Sequence, residues 1–182
     1  MKKAIAIVEF STVSTGINAA DTMTKAAHIE IVEAGSVCSG KYLIVIAGLL
    51  SAVSTSLEAA KTSFGERCIN GYVLGNPHES ILSALYGTSK VENIRALGVF
   101  ETFDTATAVV AADSAVKTAI VDLIEIRLAK GMCGKSYVTL TGEVSAVEAA
   151  VAKAVAVAKK AGMHLDSCVI ANPDEKLAGF IL

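Results

Sequence analysis

The sequence has no tryptophan, only two prolines, and 5% aromatic residues over 182 positions. It also has no CxxC pair, no long run of like charge, no low-complexity tail and no proline-rich linker. The last three absences exclude disordered interaction arms and extended spacers. Charged residues make up 19%, below the usual share of about a quarter. A formal net charge of −2 and a pI near 5.9 exclude nucleic acid as the main partner, because phosphate binding needs a basic face. The longest apolar run, Tyr42 to Leu50, falls short of the roughly 20 residues that span a bilayer. Met1-Lys2-Lys3 followed by Ala4 to Val8 has the outline of a secretory signal, but Glu9 interrupts it early. No membrane partner is expected, and a cytoplasmic location is predicted. No glycine-rich phosphate loop precedes a helix, and no paired-histidine motif or nucleophile elbow occurs. His28, His78 and His164 have no metal-ligand spacing. No catalytic residues are proposed, and the protein is not expected to be an enzyme.

Apolar residues, by contrast, are abundant, at 53%. They are enough for a finely packed core and leave apolar surface for partner chains, so an oligomer is expected. The four cysteines are Cys38, Cys68, Cys133 and Cys168. In a reducing compartment they are predicted to be free thiols, with Cys68 and Cys168 buried as small hydrophobes.

Along the chain, the apolar run Ala4 to Phe10 reads as a buried strand. Ile17, Ala20, Met23 and Ala27 recur at steps of three and four and predict a helix over 16–27. Asp21 and Lys25 lie four apart on it, acid before base, the favourable order. Ile29 to Ala34 reads as a second strand. The turn Val37-Cys38-Ser39-Gly40 leads into a third strand, Lys41 to Ala47, which Gly48 ends. Ser51 is placed to cap a second helix with Val53, Leu57, Ala60 and Phe64 on its buried stripe. Gly71 to Leu74 is a fourth strand, closed by a turn at Asn76-Pro77. The order is strand, helix, strand, strand, helix, strand.

That order then repeats. Gly98-Val99-Phe100-Glu101 matches Ala6-Ile7-Val8-Glu9 at a shift of 92, as do Ala111-Ala112-Asp113 and Lys117 with Ala19-Ala20-Asp21 and Lys25. Met132-Cys133-Gly134-Lys135 matches Cys38-Ser39-Gly40-Lys41 at 94. Val169 to Glu175, including Asn172-Pro173, matches Val73 to Glu79 at 96. In the second copy Ser145 and Glu148 form a capping-box pattern, and Val147, Val151, Ala154 and Ala158 form the buried stripe. A period this long is a duplicated domain rather than a solenoid repeat. The domains are expected over 1–90 and 91–182, with a short helix from Ser80 to Tyr86 near the joint. Each copy has the order of a split β-α-β fold. The predicted class is α+β, with two tandem β-α-β-β-α-β units of the ferredoxin-like kind, each a four-stranded antiparallel sheet carrying helices on one face. Glu9 and Glu101 occupy matching strands, and duplication alone explains the match.

Several residues together carry a more specific resemblance. They are the Val8-Glu9 and Phe100-Glu101 pairs, the Ala-Ala-Asp-x-x-x-Lys helices, the Gly-Lys turns, the glycine before Ser-Ala-Val and the Asn-Pro turns. With these, the chain resembles the shell-protein domain of bacterial microcompartments, twice over, from about Lys3 to Glu175. Within that family it is most similar to the tandem shell proteins of propanediol-utilisation compartments that carry an iron–sulfur cluster.

The resemblance implies a homotrimer that acts as a pseudo-hexamer and tiles a shell facet beside other shell proteins. It implies a pore loop made of Val37, Cys38, Ser39 and Gly40 with Met132, Cys133 and Gly134. At the three-fold axis it implies either a central pore that passes small polar molecules or a [4Fe-4S] cluster held by one Cys38 from each of three protomers, serving electron transfer or cluster delivery and reaching an encapsulated redox enzyme. The alternative uses of Cys38 are a free pore thiol or a site for another soft metal. Cys133 aligns with Ser39, not with Cys38, so it is expected not to be a ligand. Lys25, Lys117, Asn76 and Asn172 are expected at the outer edge of the oligomer. The fold also suits a different class of protein, a small-molecule-sensing regulator that binds an effector between subunits.

Overall fold

A computed structural model describes residues 4–181; the charged start, Met1 to Lys3, lies outside the described residues. The element order is β1 (Ala4–Phe10), α1 (Val13–Ala26), β2 (Glu30–Val37), β3 (Lys41–Gly48), α2 (Leu50–Phe64), β4 (Cys68–Leu74) and α3 (Ser80–Leu85), followed by β5 (Ala96–Thr102), α4 (Thr105–Thr118), β6 (Val121–Arg127), β7 (Ser136–Gly142), α5 (Val144–Lys160), β8 (His164–Ile170) and α6 (Glu175–Ala178). The two sheets have orders β2-β3-β1-β4 and β6-β7-β5-β8, and every pairing is antiparallel. The predicted α+β class and the duplicated topology are therefore both present.

Duplication extends to irregularities of the backbone. The β2–β3 register shifts between Ile31 and Glu33, and the β6–β7 register shifts between Leu123 and Glu125. The β1–β4 ladder shifts at Glu9/Phe10 and the β5–β8 ladder at Glu101/Thr102. Bulges are local backbone solutions, so their recurrence at equivalent positions marks two copies of one unit.

The chain divides into two compact units. One is 1–77 with 129–134, and the other is 78–128 with 135–182. In the first, Ala4, Ala6, Val8 and Phe10 of β1 meet Ala19 and Met23 of α1 and Val53, Leu57 and Ala60 of α2. Phe10 and Phe64 stack edge to face with centroids 6.4 Å apart, a favoured aromatic geometry. The alternate residues Ile5, Ile7 and Glu9 are buried too. This is why β1 reads as a continuous apolar run rather than an alternating one. In the second unit, Val147, Ala150, Val151, Ala154 and Ala158 form the buried stripe of α5, as the periodicity predicts.

Four expectations need correction. The buried face of α1 is Gly16, Ala19 and Met23, while Ile17 is 56% exposed. The helices α2 and α5 begin at Leu50 and Val144 with Leu49 and Glu143 at their N-caps, and neither has a side-chain cap. Ser51 and Ser145 thus lie within the first turn, where a hydroxyl cannot take the capping geometry. Cys168 is exposed, because the alternation of β8 places it on the same face as Asp166 and Ile170. Cys68, expected to be buried, is only half-buried, and that burial pushes its thiol pKa up, an effect partly offset by the Lys61 charge.

Candidate functional site

Strands β2 and β3 form a hairpin whose last pair is Val37 and Lys41. Three residues, Cys38, Ser39 and Gly40, make its loop. Ser39 (φ +60°) and Gly40 (φ +73°) are both left-handed. Three-residue hairpins commonly use such a residue to reverse direction while keeping the strand twist. In the second copy Cys133 (φ +53°) and Gly134 (φ +86°) adopt the same pair of conformations. The backbone therefore supports the alignment of Cys133 with Ser39 and of Gly134 with Gly40.

Segment 129–134 packs on the Cys38 turn within one compact unit. The Cys38 N–H donates to the Ala129 carbonyl at 2.8 Å. The Gly131 N–H donates to Cys38 Sγ, also at 2.8 Å. Lys130 Nζ pairs with Glu33 Oε1 at 3.0 Å. At Gly134, a Cβ would lie 2.9 Å from Ser39 Oγ and 3.4 Å from Lys41 Nζ. Glycine is thus required there for space as well as for its positive φ. Lys41 Nζ in turn lies 3.5 Å from the fully buried Glu9 carboxylate. The predicted loop residues Cys38, Ser39, Gly40, Met132, Cys133 and Gly134 thus come together, and Val37 is buried behind them.

Cys38 is half-exposed. The Gly131 N–H, followed by those of Met132, Cys133 and Gly134, holds its thiol below the ordinary range, against a smaller opposing effect of desolvation. A thiolate is the form that binds metal. Cys38 therefore suits a soft metal or an iron–sulfur cluster. Among the described residues, no group of three or more His, Cys, Asp or Glu side chains could hold a metal ion within one chain. A cluster at Cys38 would need donors from several chains. Cys133 is exposed, and its backbone N–H is among the groups that lower the Cys38 thiol pKa. Sequence reasoning missed this backbone cradle. Its one signal was the close spacing of Gly131 and Gly134.

The edge candidates separate by environment. Lys25 bonds Asp21 at 2.6 Å with both largely exposed. Lys117 pairs with Asp113 at 2.5 Å, but the Asp113 side chain is only 7% exposed. Asp113 Oδ1 also accepts the His78 N–H at 2.8 Å. Asp113→Ala is therefore expected to cost about 1–3 kcal/mol by leaving a buried donor unpaired, and Asp21→Ala under about 0.5 kcal/mol. Urea unfolding of the two variants side by side checks this, and equal losses would contradict it. Asn76 takes a positive φ of +60°, which asparagine tolerates. Its counterpart Asn172 is exposed in the turn after β8.

A family model described as the BMC domain matches residues 4–77 and again residues 96–173. The chain belongs to the BMC-domain family. It is 33% identical over 177 residues to the bacterial microcompartment shell protein PduT of Citrobacter freundii, an alignment covering 97% of this chain and 96% of that one. The carboxysome shell protein CcmK2 of Synechocystis matches 52% of this chain over 98% of its own length, at 29% identity. One copy of the repeat thus corresponds to a whole single-domain relative. Among solved structures, a microcompartment protein from Desulfitobacterium hafniense superposes with a TM-score of 0.88 at 42% identity, covering 98% of this chain and 99% of that one. A fused permuted hexameric shell protein of the RMM microcompartment superposes at 0.62 with 18% identity over 87% and 82% of the two chains, a likeness of fold. The protein is a structural microcompartment shell component, not an enzyme. No helix among the described residues is long and apolar enough to cross a membrane. The effector-sensing regulator shares the fold but not this family.

Proposed function

We propose that this shell protein assembles as a homotrimer in which three Cys38 thiolates meet on the three-fold axis and hold one [4Fe-4S] cluster. The carrying observation is the Gly131 N–H bonded to Cys38 Sγ. It favours the thiolate and orients a donor that one chain supplies only once. Two BMC domains per chain make six per trimer, and cyclic closure of that set gives a plate suited to tiling a facet. Three protomers supply three of the four thiolates that such clusters normally use, leaving one iron to a non-protein ligand. The bound cluster would supply one-electron transfer across the shell, to or from an enclosed redox enzyme. The chain's own contribution is to hold the sulfur. The left-handed Ser39-Gly40 turn presents Cys38, and the Gly131 N–H bonds its sulfur. Hydrogen bonds to sulfur are among the levers that set cluster potential. Lys25, Lys117, Asn76 and Asn172 are proposed to line the outer edge, where plates abut.

The test is anaerobic purification with iron and sulfide analysis, paired with electron microscopy of the particles. The expected result is brown protein with iron and sulfide in equal amounts, in three-fold particles that pack into sheets. Colourless particles that take up no iron on anaerobic reconstitution would leave the shell role standing and refute the cluster.

A further inference from the structure

The first repeat buries a charged pair beside the Cys38 turn. Glu9 stands on β1, an interior strand of its sheet, and its side chain is fully buried. Lys41 is the first residue of β3. Its Nζ lies 3.5 Å from Glu9 Oε2, and its side chain is 18% exposed. Taking two charges out of water is costly, and apolar residues of similar volume often serve stability as well or better. Stability alone therefore does not account for the pair.

Lys41 faces the loop that holds Cys38. Its Nζ lies 3.4 Å from the point a Cβ on Gly134 would occupy, and Ser39 Oγ lies 2.9 Å from that same point. Gly134 ends the segment in which Gly131 donates its N–H to Cys38 Sγ. The carboxylate is sealed in the core while the ammonium reaches the loop, so the pair is a dipole with its positive end at the loop. The second repeat keeps the residue types without the pair. Lys135 corresponds to Lys41 and Glu101 to Glu9, yet Glu101 is only half-buried, and no ion pair joins the two among the described residues. The buried pair thus occurs in the repeat that has Cys38, and not in the one that has Met132 at the aligned place.

We infer that the Lys41 ammonium raises the reduction potential of the cluster at Cys38, and that Glu9 is the positioning residue that holds the ammonium against the loop. This rests on the cluster reading above and names what regulates that site. Reduction takes one electron from a one-electron donor and adds one negative charge, with no bond made or broken. Three-fold symmetry sets three Lys41 ammonium groups around the added charge. Each attracts it through the poorly screened base of the loop and so favours the reduced form. Charge and hydrogen bonding around the sulfurs are known levers on such potentials, and Lys41 supplies the first while Gly131 supplies the second.

The test is a redox titration of the full chain after anaerobic reconstitution, followed by electron paramagnetic resonance. The parent is compared with Lys41→Met, Lys41→Arg, Glu9→Gln and the double variant Lys41→Met with Glu9→Gln. Lys41→Met is expected to lower the equilibrium constant for reduction by about tenfold or more, a fall of about 59 mV or more for one electron. Lys41→Arg keeps the charge and is expected to stay near the parent. Glu9→Gln removes the opposing charge and is expected to raise the potential. The double variant leaves neither charge buried, so it decides the point where Lys41→Met folds poorly, and its potential is expected below that of the parent. A double variant at the parent's potential, a fall in Lys41→Arg as large as that in Lys41→Met, or a fall in Glu9→Gln would overturn the inference. A parent chain that takes up no cluster would instead refute the reading on which it rests.

Discussion

Cys38→Ser is expected to abolish cluster binding outright, with iron and sulfide falling to background while the trimer and its shell assembly persist. The effect is large because symmetry multiplies it: one substitution in the sequence removes every protein thiolate from the axis. Nothing else in a single chain compensates. No group of three ligating side chains occurs among the described residues, and Cys133 aligns with Ser39 rather than with Cys38. Cys133→Ser should therefore keep full iron loading. The fold should not notice either change, since Cys38 is half-exposed and Cys133 exposed, and surface substitutions of this kind usually stay within about 0.5 kcal/mol. Iron analysis of both variants after identical anaerobic reconstitution decides the point. Full loading of Cys38→Ser, or loss of iron in Cys133→Ser alone, would show that the ligand has been misassigned.

The largest loss of stability from one methyl group is expected at Gly16. A Cβ there would lie 2.3 Å from Tyr42 Cβ and 2.4 Å from two atoms of its ring. These atoms sit next to the β3 backbone, so a side-chain rotation cannot clear them. Either α1 lifts from the sheet or β3 shifts. Overpacking of a close-packed interior commonly costs 1–3 kcal/mol and sometimes more, and Gly16→Ala is expected at the upper end, about 3 kcal/mol. That loss opposes the roughly 1 kcal/mol that alanine gains over glycine from helix propensity. Gly65→Ala makes a control, because an added Cβ there meets no atom within 4 Å. Urea unfolding should show Gly16→Ala far less stable than the parent and Gly65→Ala close to it. A Gly16→Ala protein as stable as the parent would mean that α1 does not pack this closely on Tyr42.

Gly16 also shows where sequence reasoning reached its limit. The spacing of Ile17, Ala20 and Met23 predicts a helix, and a helix is there. The same spacing turns the wrong side inward by about one residue, or 100° on a helical wheel. A glycine contributes nothing to a hydrophobic period, yet here it is the point of closest approach and sets the rotation of the helix. The strands were easier. Ala4 to Phe10 is legible as a strand because burial on both faces leaves a solid apolar run. The duplication is legible because the Gly-Lys turns, the Asn-Pro turns and the Asp–Lys pairs all recur at nearly constant shifts. The helix starts were not, since Ser51 and Ser145 resemble caps while the chain turns two residues earlier, just after Gly48 and Gly142.

The candidate site divides in the same way. Cys38 and the matching glycine turns stand out in one dimension, and the left-handed conformations of Ser39, Gly40, Cys133 and Gly134 follow from them. The partnership between the turns does not. That Gly131 would donate its N–H to a sulfur 93 positions away depends on segment 129–134 crossing into the other compact unit, and no local pattern encodes that crossing. Nor does composition distinguish Asp113, which is buried and doubly bonded, from Asp21, which is neither, although the two share one motif.

The most direct test of the account is native mass spectrometry of the full chain, purified and sprayed without oxygen. The predicted species has three times the 18.7 kDa chain mass plus the mass of one [4Fe-4S] unit, and Cys38→Ser gives the same trimer without the added mass. A cluster carried by a single chain, or a trimer of parent chains that stays at the bare protein mass after reconstitution, would contradict it.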